Sequence, residues 1–301
     1  MPSLQHTLVS WVIPRLRRNL PPDDLPAMRA ALTRENRAAE EAPPRAVRRG
    51  HEESISNSHG FPVYELWPAG TEAPRRSVFY LHGGGFVHPT HAVQWTFSTR
   101  LADTLGARAV VPTYPLAPEF TVDDSFEAMI TIFEEVAATS PEGVVLVGDS
   151  AGGGYALALA EALRDRGGAQ PDRLVLLSPW VDLTGETPGT LEASGRDPWL
   201  SYPHLAIYAS FWAGSADPRR LAEARVSPGL GDLTGLPPAL MLCGTRDLLH
   251  PGCEALFARA EEADWPLEYV EAPGLIHVYP LLPVPEARDA FDHIVRFCTH
   301  G

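Results

Sequence analysis

The sequence predicts an α/β fold: an eight-stranded, mostly parallel sheet with helices on both faces. Three observations lead there. From about residue 74 onward, short apolar runs alternate with longer helical patterns. Some runs, such as Val144-Val145-Leu146-Val147, are apolar at every position, which marks strands buried on both faces of the pleat. The chain, at 301 residues and 45% hydrophobic content, is long enough to enclose such a sheet in one large core.

Taken in order, residues 47–55 and 63–67 read as two leading strands forming an antiparallel edge. A strand at 77–81 ends in glycine and a helix follows at 93–105. A strand at 107–114 precedes a helix that runs through 137, with Thr121 as its cap. Strand 144–147 leads into a helix at 151–166. Further strands are expected at 174–177, 239–243 and 267–270, and helices at 253–263 and 286–298. Strands separated by helices pair in parallel through right-handed crossovers. The last strand should form a sheet edge, and edges invite pairing, so a homodimer through it is one expectation.

Two stretches break the alternation. Residues 1–45 are helical in pattern and rich in arginine. Residues 182–226 lie between strands and hold Trp199, Tyr202, Tyr208, Phe211 and Trp212. A long insertion in a compact domain is often a lid or binding element. The chain thus divides into an N-terminal helical segment, 1–45, and a main domain, 46–301, interrupted at 182–226. Tyr208, Phe211 and Trp212 have helical spacing; with Trp199 and Phe86 they are candidates for an apolar pocket. The alternative is that these rings only pin the insertion to the body.

Charge narrows the function classes. All 24 basic residues are arginine, so chemistry that needs a Schiff-base or P-loop lysine is excluded. The net charge of −14 argues against a nucleic-acid partner, since phosphate binding needs a basic surface. Residues 1–49 carry nine Arg against five Asp and Glu, so a basic segment faces an acidic body. Three widely spaced cysteines, Cys243, Cys253 and Cys298, suit neither a disulfide framework nor a zinc site. No apolar run reaches the length of a membrane span, and the first 20 residues lack the layout of a secretion signal. A cytoplasmic protein without integral membrane association is the expectation.

The chemistry is concentrated in two motifs. Gly148-Asp149-Ser150-Ala151-Gly152 lies between an apolar strand and an Ala- and Leu-rich helix, the setting a nucleophile elbow requires. The sharp turn lifts the Ser150 hydroxyl clear of the sheet, and glycine on both sides leaves room for strand and helix. His82-Gly83-Gly84-Gly85-Phe86 follows another strand. Three consecutive glycines suit a loop whose N–H groups must approach a ligand. The N–H groups of Gly83, Gly84 and Ala151 are therefore expected to form an oxyanion hole. A nucleophilic serine needs a base, and the base an orienting acid. His277 in the loop after the last strand and Asp247 after strand 239–243 are the best placed, both beyond carboxyl ends of strands. His82 is the rival base, though a histidine directly before the glycine run is better suited to bracing that loop. His88, His91 and His250 read as loop or capping residues.

Together, His82–Phe86, Tyr114-Pro-Leu-Ala-Pro-Glu119, Gly148–Gly153, Asp247 and Pro273–His277 resemble, in this order, the hormone-sensitive-lipase-like esterases of the α/β-hydrolase superfamily. Within that family the chain is similar to bacterial carboxylesterases and acetyl hydrolases. The resemblance implies an α/β-hydrolase fold and a helical cap made from the N-terminal helices and the insertion after Trp180. One departure is Pro115, where the family commonly has arginine. The expected activity is hydrolysis of small, mostly apolar, short- to medium-chain carboxylic esters through an acyl-enzyme, with no metal or organic cofactor. Two other readings are an O- or N-acetyl deacetylase of a specialised metabolite, and a small-molecule receptor that has lost catalysis.

Overall fold

The computed structural model describes residues 2–16, 21–39 and 42–299. Of the N-terminal segment expected at 1–45, positions 1, 17–20 and 40–41 lie outside the described residues, as do 300–301. In chain order the elements are helices α1 (Leu4–Leu16), α2 (Leu25–Ala38) and α3 (Arg45–Arg48); strands β1 (His51–Ser56), β2 (Val63–Pro68) and β3 (Ser77–Leu81); α4 (Ala92–Thr104), β4 (Arg108–Pro112), α5 (Val122–Ala138), β5 (Val144–Asp149), α6 (Ala151–Asp165) and β6 (Arg173–Leu177). Then come α7 (Thr190–Ser194), α8 (Tyr202–Ala213), α9 (Pro218–Leu221), β7 (Ala239–Gly244), α10 (His250–Glu262), β8 (Leu267–Ala272) and α11 (Pro285–Thr299).

The strands form one sheet in the order β1-β2-β4-β3-β5-β6-β7-β8. β2 pairs antiparallel with β1 and β4, and the other pairings are parallel. This is the eight-stranded, mostly parallel sheet that the sequence predicts, with an antiparallel leading edge and β8 at the far edge. One boundary differs. Residues 45–48, partly expected in the first strand, form the single turn of α3 after Pro44, and Val47 is buried from that turn. Apolar alternation could not separate a strand from one helical turn there.

Successive strand residues point to opposite faces, so the sheet feeds two core layers. Phe79, Leu81 and Leu146 pack with Met129, Phe133 and Leu157 of α5 and α6. Val78, Tyr80, Val145 and Val147 pack with Trp95 and Leu101 of α4 and Phe291 and Ile294 of α11. The N-terminal helices join both sides. α2 buries Met28 and Leu32 in the first layer, and its Asn36 amide donates to the Ala117 carbonyl at 3.1 Å. α1 lies against α11, where the Ser3 N–H and hydroxyl donate to the Glu286 carboxylate at 2.5 and 3.0 Å. Among the described residues no helix is long and apolar enough to cross a membrane.

Glu161 of α6 is an exception to the apolar interior. Its carboxylate is buried against Gly231, where a Cβ would come within 2.6 Å of it, and Oε1 has no hydrogen-bond partner among the described residues. Burial pushes its pKa up to about 9, only partly offset by the charges of Arg164 and Arg259. A carboxyl raised in the folded state keeps a proton that the unfolded chain has released. The stability it allows is whole below the unfolded pKa and is lost as pH climbs towards 9. Glu161→Gln should therefore remove much of the decline between pH 5 and pH 9, with a gain of about 1–3 kcal/mol near pH 7. Urea unfolding across that range checks it; parallel curves for the two proteins would refute it.

Candidate active site

The centre of the site is a strained turn. Ser150 sits between β5 and α6 at φ 52° and ψ −121°, a conformation that strains a non-glycine residue by about 1–3 kcal/mol. The surroundings hold it there. Ser150 N–H donates to the Leu177 carbonyl and Ser150 C=O accepts from Trp180 N–H, both at 2.8 Å. A Cβ at Gly148 would strike the backbone of Gly152, and one at Gly152 would strike the Leu81 and His82 carbonyls. Glycine on either side of the turn is what lets α6 begin so close to β3 and β5.

Two loops from neighbouring strands converge on the Ser150 hydroxyl. His277, after β8, places Nε2 2.9 Å from Ser150 Oγ and Nδ1 2.9 Å from Asp247 Oδ2. Asp247, after β7, is fully buried and also accepts from Leu249 N–H at 2.9 Å and the Cys243 thiol at 3.6 Å. The residue after the histidine, Val278, is itself left-handed at φ 44°, and its N–H is held by Ser178 Oγ at 3.0 Å. With Asp247 ionised, Nδ1–H donates to the carboxylate and Nε2 accepts the serine proton. That arrangement can draw the proton from the hydroxyl as oxygen attacks an electrophile. Burial lowers the imidazole pKa, but the charge and hydrogen bond of Asp247, with the charges of Asp197 and Asp149, outweigh it and leave His277 above its ordinary 6.5.

The glycine-rich loop after β3 supplies main-chain donors. Gly84 and Gly85 have φ of 120° and 62°, and Phe86 continues at 64°. The donor set differs from the expected one. Gly83 N–H is turned away and donates to Asp149 Oδ1 at 2.9 Å. The reason is electrostatic. Burial raises the Asp149 pKa, and its carboxylate recruits Gly83 N–H, the Tyr80 hydroxyl at 2.6 Å and the Gln94 amide at 3.0 Å against that burial. The N–H groups of Gly84, Gly85 and Ala151 carry no hydrogen bond among the described residues. Gly85, absent from the expected set, is thus a candidate donor in place of Gly83. His82 braces the loop: Nδ1 lies 2.8 Å from the Gly83 carbonyl, the ring stacks on Tyr114 at 4.4 Å, and burial drives its pKa down to about 4.

A cavity of about 470 Å³ opens above Ser150 and His277. Trp199 and Tyr208 line it, as do Gly84 and Gly85, while Leu205, Leu281 and Leu282 make much of its wall apolar. Trp199 meets His277 edge-on at 5.6 Å. Phe86, Phe211 and Trp212, expected in the pocket, are core residues instead. Phe86 stacks on Trp212 at 4.3 Å and 2°, and Phe211 packs under the Arg29 guanidinium at 4.4 Å. The helical spacing of Tyr208, Phe211 and Trp212 does place them together on α8, but Phe211 and Trp212 turn into the body while Tyr208 reaches the cavity.

Several residues of the site were missed from sequence. Gln94 lines the cavity together with His88 and His91, which are the loop and capping residues expected: His88 pairs with Glu35 of α2 at 3.1 Å, and His91 caps α4 with Gln94. Asp197 lies beside the Asp247 loop, its oxygens accepting from Trp199 N–H at 2.6 Å and Leu248 N–H at 2.7 Å. Burial and the neighbouring Asp247 charge push Asp197 up to about 6. Only the turn signal Asp197-Pro198 hinted at its place. Away from the cavity, His250, Glu254 and Glu271 bring ligand atoms within 4.8 Å, with Glu254 3.3 Å from Nδ1 and Glu271 3.2 Å from Nε2, on opposite ring nitrogens.

Comparison with known proteins agrees with this geometry. The family described as alpha/beta hydrolase fold matches residues 78–281. An acetyl-hydrolase of Streptomyces hygroscopicus is 34% identical over 75% of this chain and 76% of its own. An esterase of Acinetobacter venetianus is 29% identical over 74% of each. Among solved structures, an esterase from the bacterial hormone-sensitive lipase family superposes with a TM-score of 0.78 at 26% identity, covering 99% of this chain and 98% of that one.

The Asp149 arrangement can be tested without reference to any reaction. Asp149→Ala leaves three buried donors without an acceptor and should destabilise the fold by about 2–4 kcal/mol, whereas Asp149→Asn keeps one acceptor oxygen and should lose less. Chemical denaturation of the two variants checks the order.

Proposed function

The chain belongs to the alpha/beta hydrolase fold family, and from that premise we propose that it is a serine carboxylesterase acting on small, mostly apolar esters through an acyl-enzyme. The observation that carries this reading is the unbroken line Ser150 Oγ–His277–Asp247, with both links at 2.9 Å, at the floor of the cavity.

In this reading Ser150 attacks the ester carbonyl and His277 Nε2 takes its proton. Asp247 fixes the imidazole tautomer and stabilises the imidazolium. The negative oxygen of the tetrahedral intermediate is held by N–H groups of Gly84, Gly85 and Ala151. Removing one side-chain donor from such a hole costs about 3–4 kcal/mol of transition-state stabilisation. His277 then hands its proton to the departing alcohol. Water enters, loses a proton to His277 and releases the acid from Ser150. The N-terminal helices and the 182–226 insertion form the cap, with Trp199 and Tyr208 as pocket walls. The cavity volume suits a small ester.

The acetyl-hydrolase relative keeps a second substrate class in view, an acetyl ester or amide, since the same intermediate serves both. A receptor that has lost catalysis fits less well, because the imidazole is present and bonded to the hydroxyl. Pairing through the β8 edge remains the proposed route to a homodimer.

On p-nitrophenyl acetate or butyrate, Ser150→Ala should lower kcat by about 10⁴–10⁶-fold. Full activity in that variant would sink the mechanism. The second expectation concerns pH. The base works only when neutral, so activity should rise with pH along a limb whose midpoint lies above 6.5. Asp247→Asn removes the partner that raises His277. Its acid limb should move to lower pH while kcat falls roughly 10³–10⁴-fold. A pH–rate profile of both proteins reads the direction.

A further inference from the structure

The loop that carries His277 is held from outside the sheet by the N-terminal helix. His6 of α1 is only 1% exposed, and its Nε2 accepts the backbone N–H of Ile276, the residue just before His277, at 3.2 Å. The two residues are 270 positions apart in the chain. Accepting at Nε2 places the ring proton on Nδ1, which has no partner among the described residues. That nitrogen therefore forgoes a hydrogen bond so that the other can hold the loop.

Two further contacts seat the same helix. Pro2 packs on Gly274, where a Cβ would come within 2.7 Å of Pro2 Cγ. Ser3 anchors to Glu286 of α11 through N–H and hydroxyl, at 2.5 and 3.0 Å, and its hydroxyl also receives His6 N–H at 3.1 Å. The helix turns His6 and Ser10 inward while Leu4, Leu8 and Trp11 stay exposed. Val9 and Ile13, on the same side of the helix, are only half-buried, so His6 is the most deeply placed described side chain of α1, and it sits where its ring can bond the Ile276 N–H.

We propose that His6 is a positioning residue for the catalytic imidazole, and that α1 is a strap fixing the His277 loop at the distance needed for proton transfer from Ser150. The inference rests on the esterase reading above. The loop has reason to need a brace. Val278 is held at a strained positive φ, and the loop lies beyond edge strand β8, which has a neighbour on one side only. A displacement of about 1 Å in a reacting group can lower a rate by some 10²-fold.

The test compares His6→Ala and His6→Gln, whose side-chain oxygen can accept the Ile276 N–H. Both are assayed on p-nitrophenyl butyrate well below their melting temperatures. His6→Ala should lower kcat by about 10–100-fold with KM changed less than about two-fold, because the loss is in alignment and not in the pocket. His6→Gln should recover most of that loss. Ser3→Ala, which loosens the strap but leaves the imidazole, should lower kcat in the same direction by a smaller factor and serves if His6→Ala does not fold. A folded His6→Ala with wild-type kcat overturns the proposal, as does a loss that His6→Gln fails to restore. Should His6→Ala not fold, unchanged kcat in Ser3→Ala overturns it. Labelling of the wild-type protein by a fluorophosphonate separates the two readings. No labelling at Ser150 removes the esterase reading itself, while labelling with no effect of His6 removes only the strap.

Discussion

The site depends on a clearance of a few ångströms between β5, the start of α6 and the loop after β3. No side chain can stand at Gly148 or Gly152, because either would meet backbone already in place. Only with that space empty can Ser150 adopt its left-handed turn and present its hydroxyl at the carboxyl end of the sheet. The parallel strands then do the rest. β5, β7 and β8 end on the same side, so the loops after them deliver Ser150, Asp247 and His277 to one point without long excursions. The strain at Ser150 persists because two 2.8 Å backbone bonds to β6 and Trp180 overdetermine it.

Three aspartates, Asp149 and Asp247 buried and Asp197 half-buried, bear on one imidazole, and their partners tell them apart. Asp247 faces the ring directly and is the one bonded to Nδ1. Asp149 follows the opposite path: its donors are Tyr80, Gly83 and Gln94, so its charge shapes the glycine loop. Asp197 bonds backbone on both sides of the gap between the insertion and the Asp247 loop. All three carboxylates contribute to the fold, but only Asp247 can fix the imidazole's tautomer. Burial alone would lower the His277 pKa and leave a weaker base; the surrounding negative charge reverses that.

What was legible in the sequence was what is local. The elbow and the glycine loop are contiguous stretches whose turn chemistry is written in adjacent residues, and the strands carry their burial in unbroken apolar runs. The errors came where direction depends on distant parts. Nothing in His82-Gly83-Gly84-Gly85 says which N–H points at the ligand; that is decided by the Asp149 carboxylate, 66 residues away. The spacing of Tyr208, Phe211 and Trp212 defines a helix face but not whether a cavity or the core lies opposite, and α8 divides them, Tyr208 to the cavity and the other two to the core. His6 left no signal because its bond spans 270 residues, and for Asp197 the Asp197-Pro198 turn marks a local bend but not the bond to Leu248, 51 residues on.

These long-range bonds share a feature that local motifs lack. Each joins an element outside the parallel sheet to a loop of the site: α1 to the His277 loop through His6, the insertion to the Asp247 loop through Asp197, and α2 to the cavity wall through Glu35 and His88. The sheet alone determines where these loops begin. It does not determine where their side chains end, because a loop beyond a strand terminus has no ladder to hold it. A hydrogen bond from a second element removes that freedom at the residue that matters. Small departures in a relay of 2.9 Å contacts are amplified in rate, so peripheral helices can bear on the chemistry without touching a reacting atom. The N-terminal segment and the insertion, which broke the alternating pattern of the chain, are for that reason part of the same construction as the elbow.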